Sequence, residues 1–212
     1  MSVKVCIVDN TCIDCGSSLK FAFGDRECLR IDSLQNPRRK SESLAALAAL
    51  SEITGDITDR CIERDSFGRP YFKNVGNTDF SISHSGSLSV AARIDGGSRL
   101  GVDIELIMEK DNARIADRFF TEKEKALLDE MQNNEAFYMI WTAKEAKAKK
   151  VGTGLSKLLS DNCHLAENND VIVRFFVEHE GSRYLLSLCL DRKEDVELLH
   201  SDAIRVIPIE KL

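Results

Sequence analysis

The sequence predicts an α+β fold made of two similar halves. A helix followed by a β-hairpin occurs twice along the 212 residues. A short echo supports the repeat: residues 83–87 (SHSGS) in the first hairpin resemble residues 178–182 (EHEGS) in the second, and each lies between two apolar stretches. The boundary is expected near residues 96–110, which gives an N-terminal α+β half, 1–100, and a C-terminal α+β half, 101–212.

The first half is expected to begin with a strand and to contain one helix and one hairpin. Apolar residues alternate along residues 1–9, which indicates a strand. Residues 41–53 are rich in Ala and Leu and predict a helix that ends near Gly55. The hairpin is predicted from short apolar strands at 80–83 and 88–94. Residues 10–36 show no clear period, and residues 66–70 are typical of a loop.

The second half repeats this order. A strand at 100–107 follows the Gly96-Gly97 turn. The remaining predicted elements are helices at 121–131 and 135–150, strands at 171–177 and 184–190 around a Gly181-Ser182 turn, and a last strand at 204–207. Glycines 152 and 154 are stop signals for the second helix.

Composition excludes several classes of protein. The net charge of −6 argues against a surface built for nucleic acid. No apolar run approaches the roughly 18 residues of a membrane span, and the N-terminus lacks the layout of a signal peptide, so a cytoplasmic protein without a membrane partner is expected. The seven cysteines are expected to be reduced. Cys12 and Cys15 form a C-x-x-C pair that leaves a metal or redox site as an open alternative.

The sharpest chemical signal is residues 101–105 (GVDIE). Side chains alternate along a strand, so Asp103 and Glu105 point to one side while Val102 and Ile104 point into the core. Two adjacent carboxylates repel each other unless a cation lies between them, and a few hard oxygen ligands suit Mg²⁺. A solvated strand face is the alternative interpretation.

A second signal is residues 141–149 (WTAKEAKAK). Trp141, Glu145 and Lys149 are spaced four residues apart and share one helix face. This face offers a third carboxylate beside a cation, as a metal–diphosphate site requires. The alternative is an ordinary surface helix with a salt bridge.

Three weaker signals accompany these two. Thr121 and Glu124 have the spacing of a helix capping box, although Glu124 is also a candidate base or base-orienting group. Residues 68–70 (GRP) place the cation of Arg69 on a loop. Residues 80–85 (FSISHS) place Ser83 and His84 at a strand end, where free backbone N–H groups bind phosphate well.

Together and in order, these segments resemble the surfactin-type 4′-phosphopantetheinyl transferases. The family pattern runs G-[KR]-P, F-x-x-S-H-S, G-[VI]-D-[IVL]-E, F-[ST]-x-x-E and W-x-x-K-E-[AS]-x-x-K-x-x-G-x-G-L. The chain matches it at 68–70, 80–85, 101–105, 120–124 and 141–155. The resemblance implies a pseudo-twofold pair of α+β halves with the active site between them. It also implies transfer of phosphopantetheine from the co-substrate coenzyme A to a serine of an apo acyl or peptidyl carrier protein.

The resemblance implies a role for each matched position. Asp103, Glu105 and Glu145 would hold Mg²⁺ on the coenzyme A diphosphate. Glu145 or Glu124 would take the proton of the carrier serine. The remaining implied contacts to coenzyme A come from Lys149 at the diphosphate and from Arg69, Ser83 and His84 at the phosphates, with His84 on the 3′-phosphate.

One position departs from the family pattern. Relatives commonly carry an Arg near the start of the first-half helix, where this chain has Ser41 or Glu42. Arg38, Arg39 and Lys40 lie just upstream, so Arg39 and Lys40 are candidate ligands of the 3′-phosphate.

The carrier is expected to be acidic, and the basic and apolar residues of segment 114–125 fit its docking. Because two fused halves would complete the site, a monomer is favoured. A Mg²⁺-dependent nuclease and a non-catalytic carrier-binding relative are the competing functions. The acidic balance argues against the nuclease, and the presence of all the expected carboxylates argues against the inactive relative.

Overall fold

The computed structural model describes residues 2–11, 13, 18–131, 133–153, 170–196 and 204–207. Its strands are β1 (Val3–Asp9), β2 (Ile62–Arg64), β3 (Pro70–Phe72), β4 (Thr78–Ser85), β5 (Leu88–Asp95), β6 (Leu100–Leu106), β7 (Val171–His179), β8 (Ser182–Leu190) and β9 (Ile204–Ile207). Its helices are a 3₁₀ helix (Ser18–Phe23), α1 (Asp25–Asp32), α2 (Pro37–Ile53), α3 (Ala113–Phe119), α4 (Glu122–Met131), α5 (Asn134–Val151) and α6 (Lys193–Val196). The predicted α+β class is confirmed, while Cys12, Cys15 and residues 154–155 lie outside the described residues.

Two sheets form the centre of the protein. The first has the strand order β4-β5-β1-β9, with β9 parallel to β1, and the second has the order β6-β8-β7 with antiparallel neighbours. Along the chain, β1 is followed by α2 and the hairpin β4–β5, and β6 is followed by α5 and the hairpin β7–β8. In both sheets the second strand of the hairpin lies between the first strand of the hairpin and the strand that precedes the helix. The division of the chain into 1–100 and 101–212 stays a prediction, and β9 crosses it by pairing with β1.

The inner faces of the two sheets share one apolar cluster. Val5, Val90, Val102 and Leu188 are fully buried there, each on a different strand. Helix α2 packs on β1 and β5, and α5 packs on β6 and β8. The burial of this shared cluster fixes β6 and its polar residues beside the first sheet.

Helix α2 begins four residues before the predicted position. Asn36 accepts hydrogen bonds from the backbone N–H groups of Arg38 and Arg39, and Pro37 occupies the first turn, where its missing N–H costs nothing. Several short elements between residues 18 and 119 were not predicted from the pattern: the 3₁₀ helix, α1, β2, β3 and α3. They are each eight residues or fewer, too short for a hydrophobic period to emerge.

Strands β4 and β6 lie side by side in separate sheets and are joined by side chains. We call this contact the β4–β6 seam. Alternate residues of β4 accept backbone N–H groups of β6: Asp79 from Leu100 at 2.9 Å, Ser81 from Val102 at 3.1 Å and Ser85 from Leu106 at 3.1 Å. The constant offset of 21 residues means that the two strands run parallel. The seam places the polar end of β4 against the carboxylates of β6.

Candidate active site

Strand β6 presents two carboxylates to one side, as its alternation predicts. Val102 and Ile104 are fully buried in the shared core. Asp103 is also buried, and Glu105 is half-buried. The alternative of a solvated strand face is therefore wrong, because a solvated Asp103 would be exposed.

Helix α5 brings the third carboxylate and a cation to the same place. Lys149 Nζ donates hydrogen bonds of 2.7 Å to Asp103 Oδ1 and to Ser83 Oγ. The helix approaches β6 closely at Gly101, where an added Cβ would lie 1.9 Å from the carbonyl oxygen of Ala146. This contact explains the glycine at the start of the 101–105 segment, and it sets the distance between the carboxylates of β6 and Glu145.

The pKa values of Glu105 and Glu145 are raised. Burial, followed by the charge of Asp103, raises the pKa of Glu145 to about 7. Burial and then the charge of Asp103 also raise the pKa of Glu105, although hydrogen bonds from Ser85 and Trp141 oppose the rise. The ammonium group of Lys149 contacts Asp103, so one positive charge lies beside three carboxyl groups.

A divalent cation fits this cluster. Asp103 Oδ2 is buried and has no hydrogen-bond partner among the described residues, while Oδ1 is taken by Lys149 and Ser83. An orphaned carboxylate oxygen beside two carboxyls with raised pKa values is the expected state of a hard-cation site without its ion. The oxygens of Asp103, Glu105 and Glu145 do not all come within 4.8 Å of one another.

A second group of possible ligands lies elsewhere. Asp9, His179 and Glu180 have ligand atoms within 4.8 Å of one another. His179 Nε2 and Asp9 Oδ2 are 2.7 Å apart, and Thr11 donates to Asp9 Oδ1. Because both Asp9 oxygens already have partners, this group is a satisfied polar cluster at the ends of β1 and β7.

The carboxylates open onto a cleft of about 400 Å³ that also contains basic side chains. Its ionisable lining residues are Arg30, Arg64, His84, Asp103, Glu105, Glu145 and Lys149. A neighbouring cavity of about 280 Å³ shares Arg64, Glu145 and Lys149 with it and continues past Phe67 and Arg69. The two cavities are lined by three carboxylates and by the cations of Arg30, Arg64, Arg69 and Lys149, a set that suits a metal ion together with a ligand that has several phosphates.

Arg30 and Arg64 were not among the predicted site residues. Both guanidinium groups bind the buried carboxylate of Glu27, at 2.7 Å for Arg30 and 3.2 Å for Arg64. Burial raises the pKa of Glu27, but the hydrogen bond from Arg30 and the charge of Arg64 outweigh it and hold the pKa below its usual value. The two arginines lie in α1 and β2, which are too short to be predicted from a hydrophobic period in the sequence.

His84 lies beside the buried carboxylate of Glu42. Its Nδ1 is 3.3 Å from Glu42 Oε2, and Arg38 Nε donates to Glu42 Oε1 at 2.9 Å. Burial lowers the pKa of the His84 imidazole, and the charge of Glu42 opposes that effect. Arg39 is exposed, whereas Lys40 is 3.5 Å from Asp32, so the 3′-phosphate roles of Arg39 and Lys40 stay predictions.

Ser83 and Arg69 make contacts that differ from the expected phosphate contacts. Ser83 Oγ donates to Asp103 Oδ1 at 2.8 Å and accepts from Lys149. Arg69 binds both oxygens of Asp79 and donates to the carbonyl of Lys149 at 2.9 Å. Arg69 therefore bridges Asp79 of β4 and the carbonyl of Lys149 in α5, and Ser83 binds the carboxylate of Asp103. The contact of Arg69 and Ser83 with coenzyme A stays a prediction.

Glu124 forms the capping box that its spacing predicts. Thr121 N donates to Glu124 Oε2 at 2.8 Å, and Glu124 N donates to Thr121 Oγ1 at 3.3 Å. The same carboxylate is 2.9 Å from the buried ammonium of Lys144. Because this carboxylate is committed to a helix end, its role as a base stays a prediction that the structure does not favour over Glu145.

Comparison with known proteins identifies the family of the chain. The model of the 4′-phosphopantetheinyl transferase superfamily matches residues 99–199. The chain is similar to the 4′-phosphopantetheinyl transferase psf-1 of Bacillus pumilus (34% identity over 133 residues, 61% of this chain and 55% of psf-1) and to ffp of Bacillus subtilis (31% over 154 residues, 65% and 67%). It is also similar to AcpT of Escherichia coli O157:H7 (33% over 136 residues, 62% and 68%).

The alignments span between about half and two thirds of each of these relatives. The family model covers β6 and α5, which carry the three carboxylates and Lys149, and it also covers β7 and β8. The resemblance predicted from the motifs is thereby confirmed, and the chain belongs to the 4′-phosphopantetheinyl transferase superfamily.

Proposed function

We propose that this protein transfers the 4′-phosphopantetheine group from coenzyme A to a serine of an apo acyl or peptidyl carrier protein, with Mg²⁺, and releases 3′,5′-ADP. One observation carries the proposal: three carboxylates and Lys149 line a single cleft together with Arg30, Arg64 and His84. This combination matches a substrate with a diphosphate at its reacting end and a further phosphate on its nucleoside.

The carboxylates of Asp103, Glu105 and Glu145 would hold Mg²⁺. When bound, the ion supplies neutralisation of the diphosphate and of the departing phosphate group. The orphaned Asp103 Oδ2 supports its part in this set. Lys149 would exchange its bond to Asp103 for the diphosphate, since its ammonium is only 2.7 Å from that carboxylate and its side chain is 30% exposed.

Glu145 is the better placed of the two candidate bases. Glu145 lines the cleft, whereas the Glu124 carboxylate is bound at a helix end and to the Lys144 ammonium. By accepting the proton of the carrier serine, Glu145 would raise the rate of transfer about 10²–10⁴-fold. The larger share of the rate acceleration would come from positioning and charge neutralisation.

The carrier would dock on α3 and α4. Arg114, Arg118 and Lys123 are exposed there, and the side chain of Leu127 is exposed as well. Phe120, by contrast, is buried against Phe137 and belongs to the core, so it is unsuited to the docking surface. A surface with basic side chains around an apolar one is complementary to the acidic helix that is expected on the carrier protein.

The finer architecture is part of the same proposal. The matching order of elements in the two sheets supports a pseudo-twofold relation between the halves, with the active site at the seam between them. A single chain would then make the whole site and act as a monomer in the cytoplasm, without a nucleic-acid or membrane partner. No described helix is both long and apolar enough to cross a membrane.

The test is the mass of a carrier protein after reaction. Apo carriers from fatty-acid, polyketide and peptide synthesis are incubated with the protein, coenzyme A and Mg²⁺ and then weighed. At least one is expected to gain one phosphopantetheine. If none gains mass and plasmid DNA is cut instead, the nuclease alternative replaces the proposal.

A further inference from the structure

Ser85 differs in what it does with its proton from Ser81, the other seam serine that accepts a backbone N–H of β6. Ser81 and Ser85 each accept a backbone N–H of β6 at 3.1 Å. Ser85 Oγ also lies 2.7 Å from Glu105 Oε2. A serine hydroxyl has one proton to donate. Because the N–H of Leu106 can only donate, the proton of Ser85 is left for the carboxylate of Glu105.

Glu105 is thus held from two sides. Ser85 approaches it from β4, at the end of the first sheet, and the side chain of Trp141 hydrogen-bonds to it from α5. Glu105 is half-buried, and its own strand fixes only the direction of its Cβ. The two donors fix the carboxylate itself, and the seam fixes Ser85 relative to the backbone of β6.

We propose that Ser85 is a positioning residue that holds the Glu105 carboxylate ready to bind a divalent cation. The inference rests on the proposed function, in which Glu105 is a ligand of Mg²⁺. Hydrogen-bond partners behind a metal ligand typically contribute about 10–100-fold to metal affinity, because an unheld ligand must be ordered when the ion binds. Ser85 therefore acts through Glu105 and need not touch coenzyme A.

The experiment measures cation binding without turnover. Mn²⁺ is titrated into the full chain with saturating coenzyme A and no carrier, and free Mn²⁺ is followed by electron paramagnetic resonance. Ser85→Ala removes the hydroxyl, and Ser85→Thr keeps it on a side chain suited to a strand. Ser81→Ala is the matched control, because it removes a hydroxyl from the same seam that has no carboxylate partner among the described residues. Thermal melting of all four proteins measures the cost to the fold.

Ser85→Ala is expected to raise the Kd for Mn²⁺ by about 10–100-fold, with Ser85→Thr and Ser81→Ala within about 3-fold of the wild type. Both alanine variants are expected to melt lower, since each loses one acceptor of a backbone N–H. Unchanged Mn²⁺ affinity in Ser85→Ala overturns the inference, and so does an equal loss in Ser81→Ala, which would make the seam as a whole responsible. A wild type that takes up no Mn²⁺ contradicts the metal site of the proposed function itself and removes the inference with it.

Discussion

Replacing Gly101 with alanine tests whether the close approach of α5 to β6 builds the site. The added Cβ would lie 1.9 Å from the carbonyl oxygen of Ala146, about 1.5 Å short of the 3.4 Å at which ordinary contact begins. It would also lie 2.6 Å from the backbone nitrogen of Lys150. Both atoms belong to the helix backbone and cannot rotate away, so α5 must shift.

The shift separates the two parts of the site. Asp103 and Glu105 stay on β6, while Glu145 and Lys149 move with α5. A displacement of about 1 Å in a catalytic group costs on the order of 10²-fold in rate. Overpacking itself costs roughly 1–3 kcal/mol of stability, and each kcal/mol lowers the melting temperature by about 2–4 °C in a chain of this size.

The assay compares Gly101→Ala with Gly76→Ala. A Cβ at Gly76 meets nothing within 4 Å, and its φ is not positive, so this variant controls for the added methyl group. Initial rates of carrier modification and melting curves are recorded for both. Gly101→Ala is expected to lose about 10²-fold in rate and a few degrees in melting temperature while Gly76→Ala keeps both. Wild-type rate and stability in Gly101→Ala would refute the reasoning, because the helix would then have tolerated the clash without moving the site.

Further predictions concern the carboxylates. Asp103→Ala is expected to reduce transfer at least about 10³-fold by removing a cation ligand, and wild-type turnover would show that β6 does not hold the ion. The raised pKa of Glu145 means that the metal-free fold favours its protonated form, so stability is lost as pH rises from about 4.5 to 7. Glu145→Gln is expected to flatten this loss in melting curves recorded across that range, and an unchanged curve would contradict the raised pKa. Glu124→Gln keeps an acceptor for the cap but removes the carboxylate beside the buried Lys144 ammonium, so it is expected to cost about 1–3 kcal/mol in denaturant unfolding and to lower kcat less than Glu145→Gln; the reverse order of kcat would make Glu124 the base.

The strongest parts of the site follow from local patterns. The period of two along β6 and the spacing of four along α5 predict which side chains share a face, and the structure places Asp103, Glu105, Glu145 and Lys149 on one cleft. These predictions succeed because each face is determined within one element. The contact between the two faces at Gly101 depends on tertiary packing, although the glycine itself was visible in the motif.

The remainder of the site depends on contacts between distant segments. Arg64 of the three-residue strand β2 meets Glu27 of the eight-residue helix α1, which also binds Arg30 of the same helix. Elements as short as these carry no usable period. The hydroxyls of Ser83 and Ser85 donate hydrogen bonds to the carboxylates of Asp103 and Glu105, each 20 residues further along the chain. These pairs form because β4 and β6 run parallel at the seam, which the sequence does not show. A sequence pattern identifies such residues as polar but does not state their partners.

The most direct measurement of the central claim is the position of a bound cation. Crystals of the wild-type chain grown with coenzyme A and Mn²⁺ allow the ion to be located by its anomalous scattering. A peak bound by Asp103, Glu105 and Glu145 and by the diphosphate of coenzyme A is expected. A peak at Asp9, His179 and Glu180 with none at β6 would contradict that claim.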